Sequence, residues 1–259
     1  MDTNPIGIFD SGVGGTSIWK EIHRLLPNEN TIYLADSANA PYGTKGKETI
    51  INLSIKNTDY LINNHCKLIV VACNTATTNA ISLLRKKYDI PFIGIEPAIK
   101  PAALNSKTKA IGILATKGTL ASELFNNTAS LYSSDLKVIE QVGEGLVELI
   151  EMGKVDSLET KALLESYLKP MLEADIDYLV LGCSHYPYLM PLLLELLPNH
   201  VKIIDSGEAV ARQTKNVLES KHLLNLSGLK SKNVFYSNSN PDILKAIIED
   251  NFDVKYLDF

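Results

Sequence analysis

The chain has 259 residues, 45% of them hydrophobic, enough to bury the core of one large α/β domain or two ordinary ones, which excludes a disordered polypeptide. Lys and Arg total 25 against 30 Asp and Glu, a net charge of −5, and the basic residues are scattered, which excludes nucleic acid as the main partner. The polar start Met1-Asp2-Thr3-Asn4-Pro5 is not a signal peptide and no run reaches the roughly 18 apolar residues of a membrane span, so a cytoplasmic protein with its three cysteines as thiols is expected.

Short apolar runs alternate with helical patterns, as in βα units that build parallel sheets. The first run, 6–9, ends in Asp10-Ser11-Gly12-Val13-Gly14-Gly15 and opens a helix. Glycines there should leave backbone N–H groups free to cradle an anion. A dinucleotide is a poor guest because Ser17 stands where the third glycine is required, so a small carboxylate is expected. Asp10 would hold a substrate ammonium or pass protons, unless it is a plain turn aspartate. After the strand at 31–35, Ala40-Pro41-Tyr42-Gly43-Thr44 is a turn in which Tyr42 could offer its hydroxyl or its backbone.

The run 68–72 delivers Cys73-Asn74-Thr75 to the start of a helix, whose positive end should favour thiolate at Cys73. Further strands are expected at 92–95, 110–114 and 137–141. Asp156 with Glu159 resembles a capping box, followed by an apolar face of Leu164, Tyr167, Leu168 and Met171 and a stop at Pro170. The run 178–181 leads through Gly182 into Cys183-Ser184-His185, and strands at 202–204 and 233–236 flank a loop at 227–232.

Two halves repeat one pattern. Ile6-Gly7-Ile8-Phe9 is echoed by Ile111-Gly112-Ile113-Leu114, which ends in Ala115-Thr116-Lys117-Gly118-Thr119, and the strand before Cys73 by the strand before Cys183. The offsets are 105 from Gly7 to Gly112 and 110 from Cys73 to Cys183. Ligands of parallel α/β sheets bind beyond the carboxyl ends of strands, where both cysteines fall. Two thiols facing each other suit inversion of an α-carbon, with a base on one face and an acid on the other. His185 is a candidate proton partner for the second thiol. Cys66 precedes its strand and reads as apolar filler.

The segments Ile8-Phe9-Asp10-Ser11-Gly12-Val13-Gly14-Gly15, Asp36-Ser37-Ala38-Asn39-Ala40-Pro41-Tyr42-Gly43, Val71-Ala72-Cys73-Asn74-Thr75-Ala76, Gly94-Ile95-Glu96-Pro97 and Leu181-Gly182-Cys183-Ser184-His185-Tyr186-Pro187 together resemble the glutamate racemases of bacterial cell-wall synthesis, in the aspartate/glutamate racemase family. The resemblance implies two α/β domains with mainly parallel sheets, related by pseudo-twofold symmetry, with the active site in the cleft. The division expected is 1–97 plus 208–259 for the first domain and 98–207 for the second. It further implies no pyridoxal phosphate or metal, glutamate as substrate, and supply of D-glutamate to peptidoglycan. Monomer and homodimer both stay open.

The family's catalytic cysteines fall on Cys73 and Cys183, with Asp10 and His185 as helpers of the thiols. Its substrate contacts fall on Asp10, Ser11, Tyr42, Gly43, Asn74, Thr75, Ser184 and His185, and a carboxylate near the second cysteine matches Glu151. This chain departs from the family in having Ser184 for the usual Thr, and Gly143-Glu144 for the usual Cys-Pro ahead of Glu151. Aspartate racemases of the superfamily tend to carry an acid where His185 stands, which favours glutamate. Two other classes remain open at this point: a metal-binding or redox-sensing protein using Cys66, Cys73, Cys183 and His185, and a non-catalytic anion-binding module built on residues 12–15.

Overall fold

The computed structural model describes residues 2–132, 136–248 and 252–259. Among them the chain runs β1 (Ile6–Asp10), α1 (Thr16–Leu25), β2 (Thr31–Ala35), α2 (Lys47–Asn63), β3 (Leu68–Val71), α3 (Asn74–Lys87), β4 (Phe92–Gly94) and α4 (Ile99–Asn105). It continues with β5 (Ala110–Ala115), α5 (Lys117–Leu120), α6 (Glu123–Ser130), β6 (Lys137–Val142), α7 (Leu146–Glu151), α8 (Leu158–Glu173) and β7 (Tyr178–Gly182). The last elements are α9 (Met190–Leu196), β8 (Lys202–Ile204), α10 (Gly207–Ser220), β9 (Asn233–Ser237), α11 (Asp242–Ile248) and β10 (Asp253–Tyr256).

Two all-parallel sheets result, one of six strands in the order β10-β9-β2-β1-β3-β4 and one of four in the order β6-β5-β7-β8. Within each half the first strand lies between the second and the third, and the fourth follows at the edge. The repeat read in the sequence is therefore a repeat of topology. β1, β3 and β5 are buried throughout, which is why they read as continuous apolar runs. Gly7 and Gly112 sit at matching places on the central strands. A Cβ on Gly7 would lie 3.0 Å from Cys66 Sγ and 3.1 Å from Leu61 of α2, and one on Gly112 only 2.6 Å from Met171 Sδ of α8. Each glycine thus lets the helix of its own half close onto the sheet.

The halves share one apolar core that includes Ile6, Ile8 and Ala35 from the first and Leu114, Leu168 and Leu181 from the second. They are also tied where the Ser206 hydroxyl donates to the Glu96 carbonyl. Three details differ from the sequence reading. The cap of α8 is Ser157, whose Oγ accepts the Thr160 N–H at 3.2 Å, one residue beyond the Asp156 expected. Pro170 lies inside α8, which runs on to Glu173; Ser166 and Pro170 are both exposed, so the carbonyl deprived of its helical partner is on the solvated side. Strand β10 has no apolar run because it is an edge strand with three of its four residues exposed.

Candidate active site

The two cysteines occupy equivalent positions. Gly7 pairs with Ile69 and Gly112 with Leu179, so Cys73 and Cys183 each stand four residues beyond the partner of a central-strand glycine. Cys73 caps α3, its sulfur accepting the Ala76 N–H at 3.4 Å and facing Ser11 Oγ at 3.8 Å. Cys183 opens the turn that leads to α9 and lies 3.8 Å from His185 Nδ1. Both are buried, at 4% and 6% exposure, and the pKa of Cys73 is raised by burial first, then by the Asp10 charge, with a smaller contribution from charge on Cys183.

The repeat places Ala115 opposite Asp10 and Thr75 opposite His185, so the acid–base groups break the symmetry. Asp10, at the end of β1, is fully buried; its Oδ2 accepts N–H groups from Gly12 (3.3 Å) and Gly15 (2.8 Å), and its Oδ1 the Ser184 hydroxyl (3.2 Å). His185 Nδ1 is 3.9 Å from Asp10 Oδ2, and His185 Nε2 is 2.6 Å from Glu151 Oε1. Glu151, at the end of α7, reaches across to the first half, where it accepts the Val13 N–H at 2.6 Å and the Ser37 hydroxyl at 3.0 Å.

This arrangement corrects two expectations. The glycine loop is not a free anion cradle: Gly12 and Gly15 donate to Asp10, Val13 donates to Glu151, and the Gly14 N–H points at His185 Nε2 at 3.2 Å. The protein's own side chains fill it because Gly12 and Gly14 leave the room. A Cβ would fall 1.9 Å from Glu151 Oε1 at the first and 2.1 Å from His185 Nδ1 at the second. The start of α3 is also not what governs the Cys73 thiol. Burial, then the Asp10 charge, push its pKa well above the ordinary thiol range, and the Ala76 N–H and Ser11 offset only part of this.

Burial alone would lower His185, but contacts with Cys183, Glu151 and Asp10 outweigh it and hold the imidazole well above its usual pKa. Asp10 is raised, chiefly by burial, with His185 and the Gly15 N–H pulling the other way. The cluster is therefore a place where protons are shared closely among neighbours.

On the other side of the cleft, Thr75, Thr116 and Thr119 bring three buried hydroxyls together, at 2.8, 3.0 and 3.4 Å. Asn74 is buried with neither atom of its amide partnered among the described residues. Tyr42 is buried, and its hydroxyl is engaged by Asp36 and by Asn57 at 3.1 Å, so only the backbone of Tyr42 and Gly43 is left to offer a ligand. Thr116, Thr119 and Ser37 were missed in the sequence. The repeat held the clue to Thr116, which occupies the place of Ser11.

A cavity of about 120 Å³, lined by Pro41, Gly43, Thr116, Gly143 and Val147 among others, lies just outside this hydroxyl cluster. The larger groove of about 1120 Å³ is at the opposite end of β3, beside His65 and Cys66, away from the strand ends where the chemistry gathers. Cys66 and Cys73 flank β3 at its two ends, so the set proposed for a metal or redox centre does not meet. Among the described residues no three His, Cys, Asp or Glu side chains are grouped to hold a metal.

Two parallel-sheet halves, each with a buried cysteine just beyond the carboxyl end of an equivalent strand, are the arrangement of an amino-acid racemase. Residues 6–214 match the family described as Asp/Glu/Hydantoin racemase, and the chain belongs to that family. A curated glutamate racemase of Herpetosiphon aurantiacus is 46% identical over 225 residues, covering 87% of this chain and 89% of the relative. Among solved structures, a glutamate racemase isoform of Bacillus anthracis has a TM-score of 0.89 at 30% identity, covering 100% of this chain and 98% of that one. The Francisella tularensis glutamate racemase in complex with D-glutamate has a TM-score of 0.86 at 28% identity, with the same coverages.

Proposed function

We propose that this chain interconverts L- and D-glutamate without a cofactor, Cys73 and Cys183 acting on opposite faces of the α-carbon. The supporting observation is the pair of buried sulfurs at equivalent positions beyond the strand ends of the two halves. One thiolate removes the α-proton while the opposite thiol delivers another, and the reverse reaction exchanges the roles. Asp10 and Ser184 would take the substrate ammonium. Asn74, the backbone at Tyr42 and Gly43, and the hydroxyls of Thr75, Thr116 and Thr119 would take its carboxylates; Ser11 and His185 border the two sulfurs. The product would supply peptidoglycan synthesis in the cytoplasm. Among the described residues no helix is long and apolar enough to cross a membrane.

With both sulfurs buried, entry of substrate requires the halves to part beside the cavity at Gly43 and Thr116. In deuterated water, with L-glutamate and no added cofactor, optical rotation should decay to zero with deuterium appearing at the α-carbon. Persistent rotation without exchange rejects the reading. Thr116→Val keeps the shape but removes a hydroxyl, and should raise KM for glutamate about tenfold or more with a smaller change in kcat, measured by initial rates. An unchanged KM would remove Thr116 from the binding set.

A further inference from the structure

The Thr75 hydroxyl of the first half meets those of Thr116 and Thr119 of the second at 2.8 and 3.4 Å, but these are groups that a substrate carboxylate would claim for itself. One contact in the same wall lies outside that set. The Asn79 side chain, on α3, donates from Nδ2 to the Thr75 carbonyl at 2.9 Å and to the Gly118 carbonyl of α5, in the second half, at 3.2 Å. The two carbonyls fix the orientation of the amide, since Oδ1 in the same place would face two acceptors. A single side chain therefore ties the helix turn that carries Thr75 to the segment that carries Thr116 and Thr119. Asparagine is a poor helix former, so what it joins, and not local propensity, accounts for it in α3.

The backbones of the two halves touch at the same place. A Cβ on Gly118 would fall 2.8 Å from Thr75 Cγ2 and 3.2 Å from both the Cα and the carbonyl oxygen of Gly43, and one on Gly43 would fall 2.8 Å from Thr116 Cβ. Two facing glycines let the halves close to backbone contact, and the Asn79 amide spans the seam beside them. Asn79 and Gly118 also line an open cavity of about 610 Å³, shared by Lys47 and Ser82 of the first half with Ser122 and Asn127 of the second. When the halves part, water from that side reaches the amide and the Gly118 carbonyl, so breaking the link strands no buried polar group. A substrate that draws the threonine hydroxyls toward itself leaves the link whole, because it ends on backbone carbonyls.

We infer that Asn79 is a positioning residue: its amide clasps the second half to α3, sets the spacing of the Thr75, Thr116 and Thr119 hydroxyls across the cleft, and holds the cleft shut over substrate. The inference rests on the glutamate reading of those hydroxyls given above. Asn79 itself touches no substrate. It acts on the balance between an open cleft, which admits and releases glutamate, and a closed one, in which the hydroxyls converge and the sulfurs are buried. Loss of the clasp shifts that balance toward the open form, which weakens binding and speeds release.

Asn79→Leu tests this directly. Leucine keeps the approximate shape and favours the helix, so a loss does not come from α3 itself. KM for each enantiomer should rise about fivefold, the worth of one neutral hydrogen bond, while kcat falls less than about twofold or rises. In the free protein, alkylation of Cys73 and Cys183 by iodoacetamide, followed for each cysteine by mass spectrometry of its peptide, should quicken by a similar factor. Cys66, at the far end of β3, should react as before. Gly118→Ala wedges the same seam while leaving Asn79 in place; it should raise KM and the alkylation of Cys73 together, and serves if the leucine variant fails to fold. An unchanged KM with unchanged alkylation of Cys73 overturns the clasp. So does faster alkylation of all three cysteines alike, which is a general loosening. Failure of α-deuterium exchange in the unaltered protein would instead overturn the glutamate reading, and the alkylation result would stand apart from it.

Discussion

Cys73→Ser and Cys183→Ser are each expected to lower racemisation of both enantiomers by about 10² to 10⁴-fold, the range for loss of a positioned acid–base group. A serine hydroxyl is far too weak an acid to supply the base, and too poor a donor to return the proton at the same rate. Because one sulfur is the base and the other the acid in every conversion, neither variant can spare one direction. Enantiomers are of equal free energy, so kcat/KM must fall equally for L- and D-glutamate, while kcat and KM need not. Polarimetry from each enantiomer separately measures this. Cys66→Ser is the control: burial pushes its thiol up to about 12 and it lies at the far end of β3, so turnover should be near that of the unaltered protein. A Cys183→Ser protein that kept a tenth of its activity would show that a single sulfur suffices.

What could be read from the sequence was whatever is local. Strand ends at Asp10, Cys73 and Cys183 were visible because a buried parallel strand is a continuous apolar run and the chemistry follows it immediately. The repeat made the two cysteines a pair before any coordinates did, and register now supplies the reason, with each four residues past the partner of Gly7 or Gly112. What escaped is what spans the halves. Glu151 meets Val13 across 138 positions and Gly14 meets His185 across 171, so no spacing rule could say that the glycine loop is filled by the protein itself. Cys73 at the start of α3 looked like a thiolate because only its helix was visible. The burial and the Asp10 charge that reverse this come from tertiary packing. Tyr42 similarly offered a hydroxyl on paper that folding commits to Asp36 and Asn57.

The largest expected effect on stability comes from a place remote from this chemistry. Lys67 Nζ and Glu29 Oε2 are 2.6 Å apart with both side chains almost wholly buried, at 1% and 2% exposure. Lys67 also donates from Nζ to the Asp2 carbonyl at 2.7 Å, and Glu29 Oε1 accepts the Asn225 N–H at 2.8 Å. The pair thereby joins the segments that lead into β1, β2, β3 and β9, at the amino ends of four neighbouring strands of the larger sheet. Lys67→Met would leave the Glu29 carboxylate buried without its cation and should cost about 3–5 kcal/mol, read as a lowered denaturation midpoint. Lys67→Met with Glu29→Met removes both charges and should recover most of that loss, since the single variant suffers mainly from the charge left behind. The site is at the other ends of these strands, so the folded fraction of either protein should keep its kcat/KM. A double variant no more stable than the single would mean that the ion pair itself, and not the stranded carboxylate, holds the strand ends together.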